Sequence, residues 1–547
     1  MTPSKARFPL PSRRNILLGG AALASLPLLA SSPLAQSEET AGESSNKAAS
    51  APKPQPAAMY ATDRSDWFGF DQVAEKARIL SEHDYRPPQM QLGGPFGDIK
   101  YDGYRAVRYR EDRRLWRDEE LGFTVDFFPP GWVYDKPVRM FVVAGPEPKE
   151  IPFDATAYDF HPDYFDFPNG RAPVEAGNGQ AWTGLRLRHP INRPEVMDEI
   201  AVFHGASYFR AVGRDLIYGL SARALAVATG APEGEEFPAF TQFWLVEPED
   251  GASEVTIYGL LDSPSVSGAF EFVIRPGAET VMDVRSALYP RVTLDKVGIA
   301  PLTSMYFFGP KDKAAVDDYR VAVHDSQGLQ MLNGLGERIW RPLSNPEQLE
   351  FSTFIDENPT GFGLIQRNRR FEQYQDAEAR YERRTSAWVE PKGDWGRGGV
   401  ILVEIPTDTE FNDNIVAFWR PEAPLEEGQS YSYDYRIVWS ALPPDLTPLA
   451  RAISSREGQS VNDPDRRTIV VDFDLGEADL EELIPQATAS VGSLEDVRVY
   501  ALPEPGKARV AMSYLPATGQ KAELRLKLTD AEGAAASEIW LYRWGTS

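Results

Sequence analysis

Carboxylates and aromatic rings are what this sequence offers in quantity: 81 Asp and Glu residues, with 28 Phe, 22 Tyr and 12 Trp, in 547 residues. Other reactive groups are scarce. The absence of cysteine removes thiolate nucleophiles, Cys-ligated metals and disulfides. The five histidines, His83, His161, His189, His204 and His324, include no pair at the spacing of a metal-binding helix, so no metal is expected. No Gly-x-Ser-x-Gly elbow, phosphate-binding loop or dinucleotide fingerprint occurs, and no cofactor is expected. Carboxylate chemistry remains. Cleaving a glycosidic bond takes two carboxyl groups on opposite sides of it, one protonated to help the leaving oxygen, the other ionised to activate water or attack carbon. Aromatic rings stack on sugar faces while Arg, Asn and Glu meet the hydroxyls. Composition alone cannot choose which two acids would act.

The elements that must position such a pair follow from patterning. A net charge of -24 repels nucleic acid and anionic lipid, so neither is an expected partner, whereas a neutral polymer such as a glucan is not excluded. Ser12-Arg13-Arg14-Asn15-Ile16-Leu17 precedes an apolar run from Ile16 to Ala30, and small residues lead to Ala35. Residues 1–36 therefore read as a twin-arginine signal peptide and predict export to the periplasm without stable membrane insertion. Residues 37–60 are Ser, Ala, Glu, Lys and Pro with almost no large apolar side chain, a disordered linker. Val73, Ala77 and Leu80 at helical spacing predict one amphipathic helix within Phe70 to His83.

Beyond residue 105 the pattern is strand and turn. Val-, Ile-, Phe-, Tyr- and Trp-rich runs such as Phe123 to Phe128, Glu199 to Phe209, Phe240 to Val246 and Thr280 to Leu288 are separated by Gly, Pro, Asp and Asn. An all-β fold follows, with a large sandwich over 61–442 that ends in the alternating run Tyr431 to Trp439. Residues 443–466 break the pattern and read as a linker. Residues 467–547 hold six or seven strand-like runs, which suits an immunoglobulin-like β-sandwich.

Long words of sequence carry a resemblance. Gly205-Ala206-Ser207-Tyr208-Phe209-Arg210-Ala211-Val212, Gly298-Ile299-Ala300-Pro301-Leu302-Thr303-Ser304-Met305, His324-Asp325-Ser326, Trp388-Val389-Glu390-Pro391 and Asp413-Asn414-Ile415-Val416-Ala417-Phe418-Trp419 are similar, in order and spacing, to the periplasmic glucan biosynthesis proteins of the G and D types. The likeness extends over nearly all of the chain from residue 66. It implies a galactose-mutarotase-like β-supersandwich followed by an immunoglobulin-like domain. The leader resembles the D branch more than the G branch. D-type members resemble β-1,2-glucanases of a glycoside hydrolase family that also holds transglycosylases, so the implied activity is an inverting endo-β-1,2-glucanase or a related transglycosylase. The alternative is a non-catalytic glucan-binding or export factor that works with an inner-membrane glucan glucosyltransferase. The expected ligand is β-1,2-glucan, and the oligomeric state is left open, a homodimer among the options.

The resemblance puts the general base on Asp325 and the general acid on Asp413, which is thought to act through a substrate hydroxyl. Read on their own residues, Asn412-Asp413-Asn414 is an ordinary turn before a strand, and Asp325 followed by Ser and Gln closes a loop. Tyr381, Arg384, Trp388 and Glu390 resemble the family's sugar-contacting segment. Trp388 reads equally well as a core residue on a buried strand. Thr385 stands where the D-type relatives carry proline.

Overall fold

The computed structural model describes residues 66–313, 316–444 and 449–545. The expected signal peptide and the linker over 37–60 lie outside the described residues. The first helix among the described residues, Phe70–Ser81, buries Phe70, Val73 and Ala77. That face packs against the strand Val266–Arg275, where Ser267 Oγ donates to the Ala77 carbonyl at 2.6 Å.

Two large sheets make the sandwich. The first runs through Thr124–Phe128, Gly184–His189, Asp198–His204, Tyr208–Ala211, Ser221–Arg223, Val297–Ser304, Ile415–Pro421, Arg397–Glu404 and Glu350–Glu357 in spatial order, with Leu225–Val227 beside Val297–Ser304. The second has 15 strands, among them Ala239–Val246, Val255–Asp262, Val266–Arg275, Thr280–Pro290 and Ser386–Lys392. Aromatic rings lock the two inner faces. Phe203 and Phe209 of the first sheet each meet Phe272 of the second at 5.0 Å, and Phe203 meets Phe243 at 5.8 Å. Each fully buried Phe contributes roughly 2–3 kcal/mol of transfer free energy, so this seam dominates local stability.

Period-two alternation then decides what the first sheet shows on its other face. Leu185, Leu187, Phe203, Phe209 and Ala211 point into the core. Their neighbours Arg186, Arg188, Tyr208 and Arg210 are therefore turned outward, and the outer face of this sheet is unusually polar.

Residues 199–209, expected as one strand, form two: Asp198–His204 and Tyr208–Ala211. The chain reverses between them through a turn in which the Ser207 amide donates to the His204 carbonyl at 3.1 Å and Ser207 adopts φ 61°. Gly205 is required there, since a Cβ would stand 2.7 Å from Val138 Cγ2. Its flanks are apolar and aromatic, which hides the turn from a reading of composition.

The C-terminal unit has seven strands among the described residues. Four of them, Arg451–Gln459, Arg467–Asp474, Lys507–Leu515 and Ser493–Ala501, form one sheet. The first of these stands inside 443–466, the segment expected to be a linker. Its sequence is Arg-Ala-Ile-Ser-Ser-Arg-Glu-Gly-Gln and buries only Ala452, so no apolar alternation announced it. The other three strands, Ile484–Ala489, Ala522–Thr529 and Ile539–Trp544, continue the large sheet. Ile539–Trp544 pairs in parallel with Arg338–Pro342, matching Ile339 to Ile539 and Trp340 to Trp540. Arg367 reinforces the seam: it lies 3.5 Å over the Trp340 ring and holds both carboxylate oxygens of the fully buried Glu538 at 2.6 and 2.9 Å.

Candidate active site

Asp325 follows the short strand Val323–His324, which pairs with Tyr306–Phe308. Its amide donates to the Met305 carbonyl at 2.8 Å, and on either side His324 stacks on Tyr306 at 5.2 Å while Ser304 Oγ donates to Ser326 Oγ at 2.8 Å. These contacts hold the backbone on both sides of Asp325. Burial holds the His324 imidazole down to about 3, so that ring stays neutral and does not compete for protons. The Asp325 residue is only 1% exposed.

Arg384 reaches Asp325 from the segment Tyr381–Arg383, its Nε lying 3.4 Å from Oδ1. The same guanidinium donates to the Ala379 carbonyl at 3.1 Å and to the Tyr218 carbonyl, and it sits 5.3 Å over the Tyr381 ring. A buried cation must be surrounded in this way, because leaving it unpaired costs several kcal/mol. Tyr381 is also buried, and its hydroxyl donates to Glu410 at 2.9 Å; Arg320 holds that carboxylate at 2.7 Å and Asp376 at 2.9 Å. One amide joins the two segments. Gln366 Nε2 donates to the His324 carbonyl at 2.8 Å and to the Tyr381 carbonyl at 3.3 Å, so the backbone before Asp325 and the backbone carrying Arg384 hang from a single side chain.

Asp413 arrives from the other side, on the loop that opens the strand Ile415–Pro421. Asn414 fixes that loop, its Oδ1 accepting from the Tyr306 amide at 2.8 Å and its Nδ2 donating to the carbonyls of Tyr306 and Ile405 at 3.0 Å. Tyr306 thus ties Asp413 to the ribbon that carries Asp325. Among the described residues no hydrogen bond or ion pair holds the Asp413 side chain. The residue is partly buried and keeps some exposed surface. Burial pushes its carboxyl up to about 6, Arg210 and Arg223 pull it down, and the charge of Asp325 pushes it further up.

Three residues of the outer sheet face complete the surroundings. Arg223 donates to Thr303 Oγ1 at 3.0 Å and to Glu235, and lies 4.9 Å over the Tyr208 ring; Arg210 lies 5.8 Å over Tyr218. Burial raises the Tyr208 phenol to about 12. None of the three was singled out from sequence. The signal was present in the alternation of Tyr208-Phe209-Arg210-Ala211, a strand whose polar residues all take one face.

The structure joins Asp325, Arg384 and Tyr381 directly and ties the Asp413 loop to the same ribbon through Asn414 and Tyr306, but puts Trp388 and Glu390 elsewhere. On the strand Ser386–Lys392, Ala387 and Val389 enter the main core, while the Trp388 ring turns to the opposite face and packs with Trp340, Ile365 and Trp540 against the C-terminal unit. It is 1% exposed, a core tryptophan at the seam. Glu390 lies on that same face, half-buried, 3.7 Å from Lys392.

Beside the site lies a cavity of about 590 Å³, bordered by Arg210, Ile217 and Tyr218 on the side of Asp413 and Arg384, and by Tyr104, Tyr109 and Tyr134 further out. Neither aspartate lines it. No group of three or more His, Cys, Asp or Glu side chains among the described residues is arranged to hold a metal ion.

The family described as "Periplasmic glucan biosynthesis protein, MdoG" matches residues 68–544. "Glucans biosynthesis protein G" of Rhodopseudomonas palustris is 42% identical over 539 residues, covering 97% of this chain and 99% of that protein. The proteins of that name from Shewanella frigidimarina and Vibrio cholerae are 40% and 41% identical, each over 87% of this chain and over 84% and 87% of their own lengths. No helix among the described residues is long and apolar enough to cross a membrane. A family match over residues 68–544, on an all-β sandwich as expected, leads to one conclusion: the chain belongs to the periplasmic glucan biosynthesis (MdoG) family, and the periplasm is its compartment.

Proposed function

We infer that this protein cuts or relinks a β-1,2-glucan backbone by an inverting mechanism, with Asp413 as general acid and Asp325 as general base. The observation that carries the reading is the contrast between the two carboxyls: Asp413, which keeps some exposed surface, is pushed up to about 6 by burial, while the fully enclosed Asp325 lies 3.4 Å from the Arg384 guanidinium. Two neighbouring carboxyls set apart by environment are what acid–base cleavage of a glycoside needs.

In this mechanism Asp413 gives its proton toward the glycosidic oxygen through a substrate hydroxyl as the bond to the anomeric carbon breaks. A water oxygen bonds to that carbon from the opposite face, and its proton goes to Asp325. Since Asp325 is only 1% exposed, the proton reaches it through a carrier rather than by direct contact with the cleft. Arg384 orients Asp325 from 3.4 Å, and Tyr381 supports Arg384 from below. Excluding water from the acceptor side would let a sugar hydroxyl take its place, which gives transglycosylation from the same residues.

A second reading has its own support. The burial of Asp325, together with relatives named for glucan biosynthesis, favours a protein that binds glucan and guides it from an inner-membrane glucosyltransferase without cutting it. Incubating the purified protein with linear β-1,2-glucan separates the readings. Shortened chains support hydrolysis and cyclic or relinked products support transfer, whereas bound but unchanged polymer supports the carrier role.

A further inference from the structure

The cavity beside the site is positively charged in a chain whose net charge is -24. Six arginines line it, Arg105, Arg108, Arg114, Arg186, Arg188 and Arg210, against two carboxylates, Asp126 and Glu199. Those carboxylates are already engaged. Arg186 is 2.8 Å from Glu199 and 3.5 Å from Asp126, and Arg188 is 3.1 Å from Asp126 and 3.7 Å from Glu199. Arg114 turns away to Glu111, at 3.1 Å. Arg105 and Arg108 contact no carboxylate among the described residues. The Nη2 of Arg105 is buried with no hydrogen-bond partner, and so is the Nε of Arg114.

Other groups register this field. Burial together with Arg188 and Arg186 lowers the Arg114 guanidinium. His204, stacked 5.0 Å from Tyr134 in the same cavity, is held down to about 3 by burial and by Arg210 and Arg186. A neutral sugar satisfies N–H groups but cancels no charge. Like charges crowded in a partly desolvated space are relieved only by an anion, and planar guanidinium forks suit phosphate and carboxylate oxygens.

We propose that this cavity is an anion subsite, which takes a phosphate or carboxylate group attached to the saccharide whose backbone lies at Asp413. The attachment to a saccharide rests on the functional reading above; the preference for an anion does not. Arg210 and Tyr218 connect the two places, since Arg210 lines the cavity and acts on the Asp413 carboxyl, and the Tyr218 carbonyl accepts from Arg384.

Titration calorimetry on the full chain, with glucose, glucose 6-phosphate and glucuronate as separate ligands, tests this without any turnover. At least one anionic sugar is expected to bind at least tenfold tighter than glucose, to weaken as salt is raised, and to be displaced by excess inorganic phosphate; the tighter of the two names the group. The double variant Arg105→Ala, Arg108→Ala is expected to lose at least tenfold in that affinity with an unchanged melting temperature. If the double variant is less stable, Arg108→Ala alone, at an exposed position, is expected to lose several-fold. Equal affinity for glucose and both anionic sugars, or an affinity indifferent to these arginines, overturns the proposal. Absence of glucan cleavage in the separate turnover assay would count against the functional reading alone.

Discussion

Asp325 and Asp413 carry the same functional group in opposed settings. Asp325 sits on a ribbon pinned by backbone hydrogen bonds, with Arg384 beside it and almost no exposed surface; Asp413 sits on a loop, with no hydrogen bond or ion pair to its carboxyl among the described residues, in partial contact with solvent. Neighbours and solvation, not residue type, distinguish the two carboxyls. The loop that carries Asp413 can present its side chain to a ligand. The ribbon that carries Asp325 cannot without movement.

Removing the difference should have the largest effect. Asp413→Asn keeps the shape and removes the transferable proton, so turnover on linear β-1,2-glucan should fall by roughly 10²–10⁴-fold while glucan binding persists. Full turnover in that variant would take Asp413 out of the mechanism. Asp325→Ala leaves Arg384 buried without its carboxylate, which should cost about 3–5 kcal/mol in denaturant unfolding along with the loss of turnover. An unchanged unfolding midpoint would mean that the ion pair contributes nothing.

Gln366 offers a finer test, because it joins the segments that carry Asp325 and Arg384. Gln366→Leu strands two carbonyls, expected to cost about 1–3 kcal/mol. It should also lower kcat more than it raises KM, since the carboxylate is misplaced rather than lost; a change in KM alone would assign Gln366 to binding. Tyr381→Phe removes only the hydroxyl bond to Glu410, expected to cost about 1 kcal/mol with a small loss in kcat.

The smallest effect concerns the environment of Asp413 itself. Its carboxyl is raised in the fold, so the charged form destabilises the native state: the penalty is absent below the unfolded value near ~3.9, grows as pH rises, and is complete above about 6. Asp413→Asn lacks that penalty. Its melting temperature should exceed that of the wild type by a few degrees at neutral pH and converge with it at low pH. A difference that grew toward low pH would reverse the assigned direction.

Much of this was legible in the sequence where apolar residues alternate or recur. The helix Phe70–Ser81 and strands such as Thr280–Pro290 were announced by period, as were most of the strands beyond residue 467. The strand Arg451–Gln459 was not, since its buried positions offer little more than Ala452. Trp388 shows the opposite difficulty. A large aromatic beside Arg384 reads as a sugar platform or as core, and only the facing residues Trp340 and Trp540, distant in sequence, decide. Arg210 and Arg223 were visible as alternating charges, but their relation to Asp413 depends on a sheet that joins strands some 200 residues apart, which no local pattern encodes.

Anomeric analysis by proton NMR in the first minutes of reaction on linear β-1,2-glucan examines the central assignment most directly. New reducing ends should appear first as the α-anomer with the wild type and not at all with Asp413→Asn. First appearance of the β-anomer, or an equal rate from the variant, would contradict an inverting mechanism built on these two aspartates.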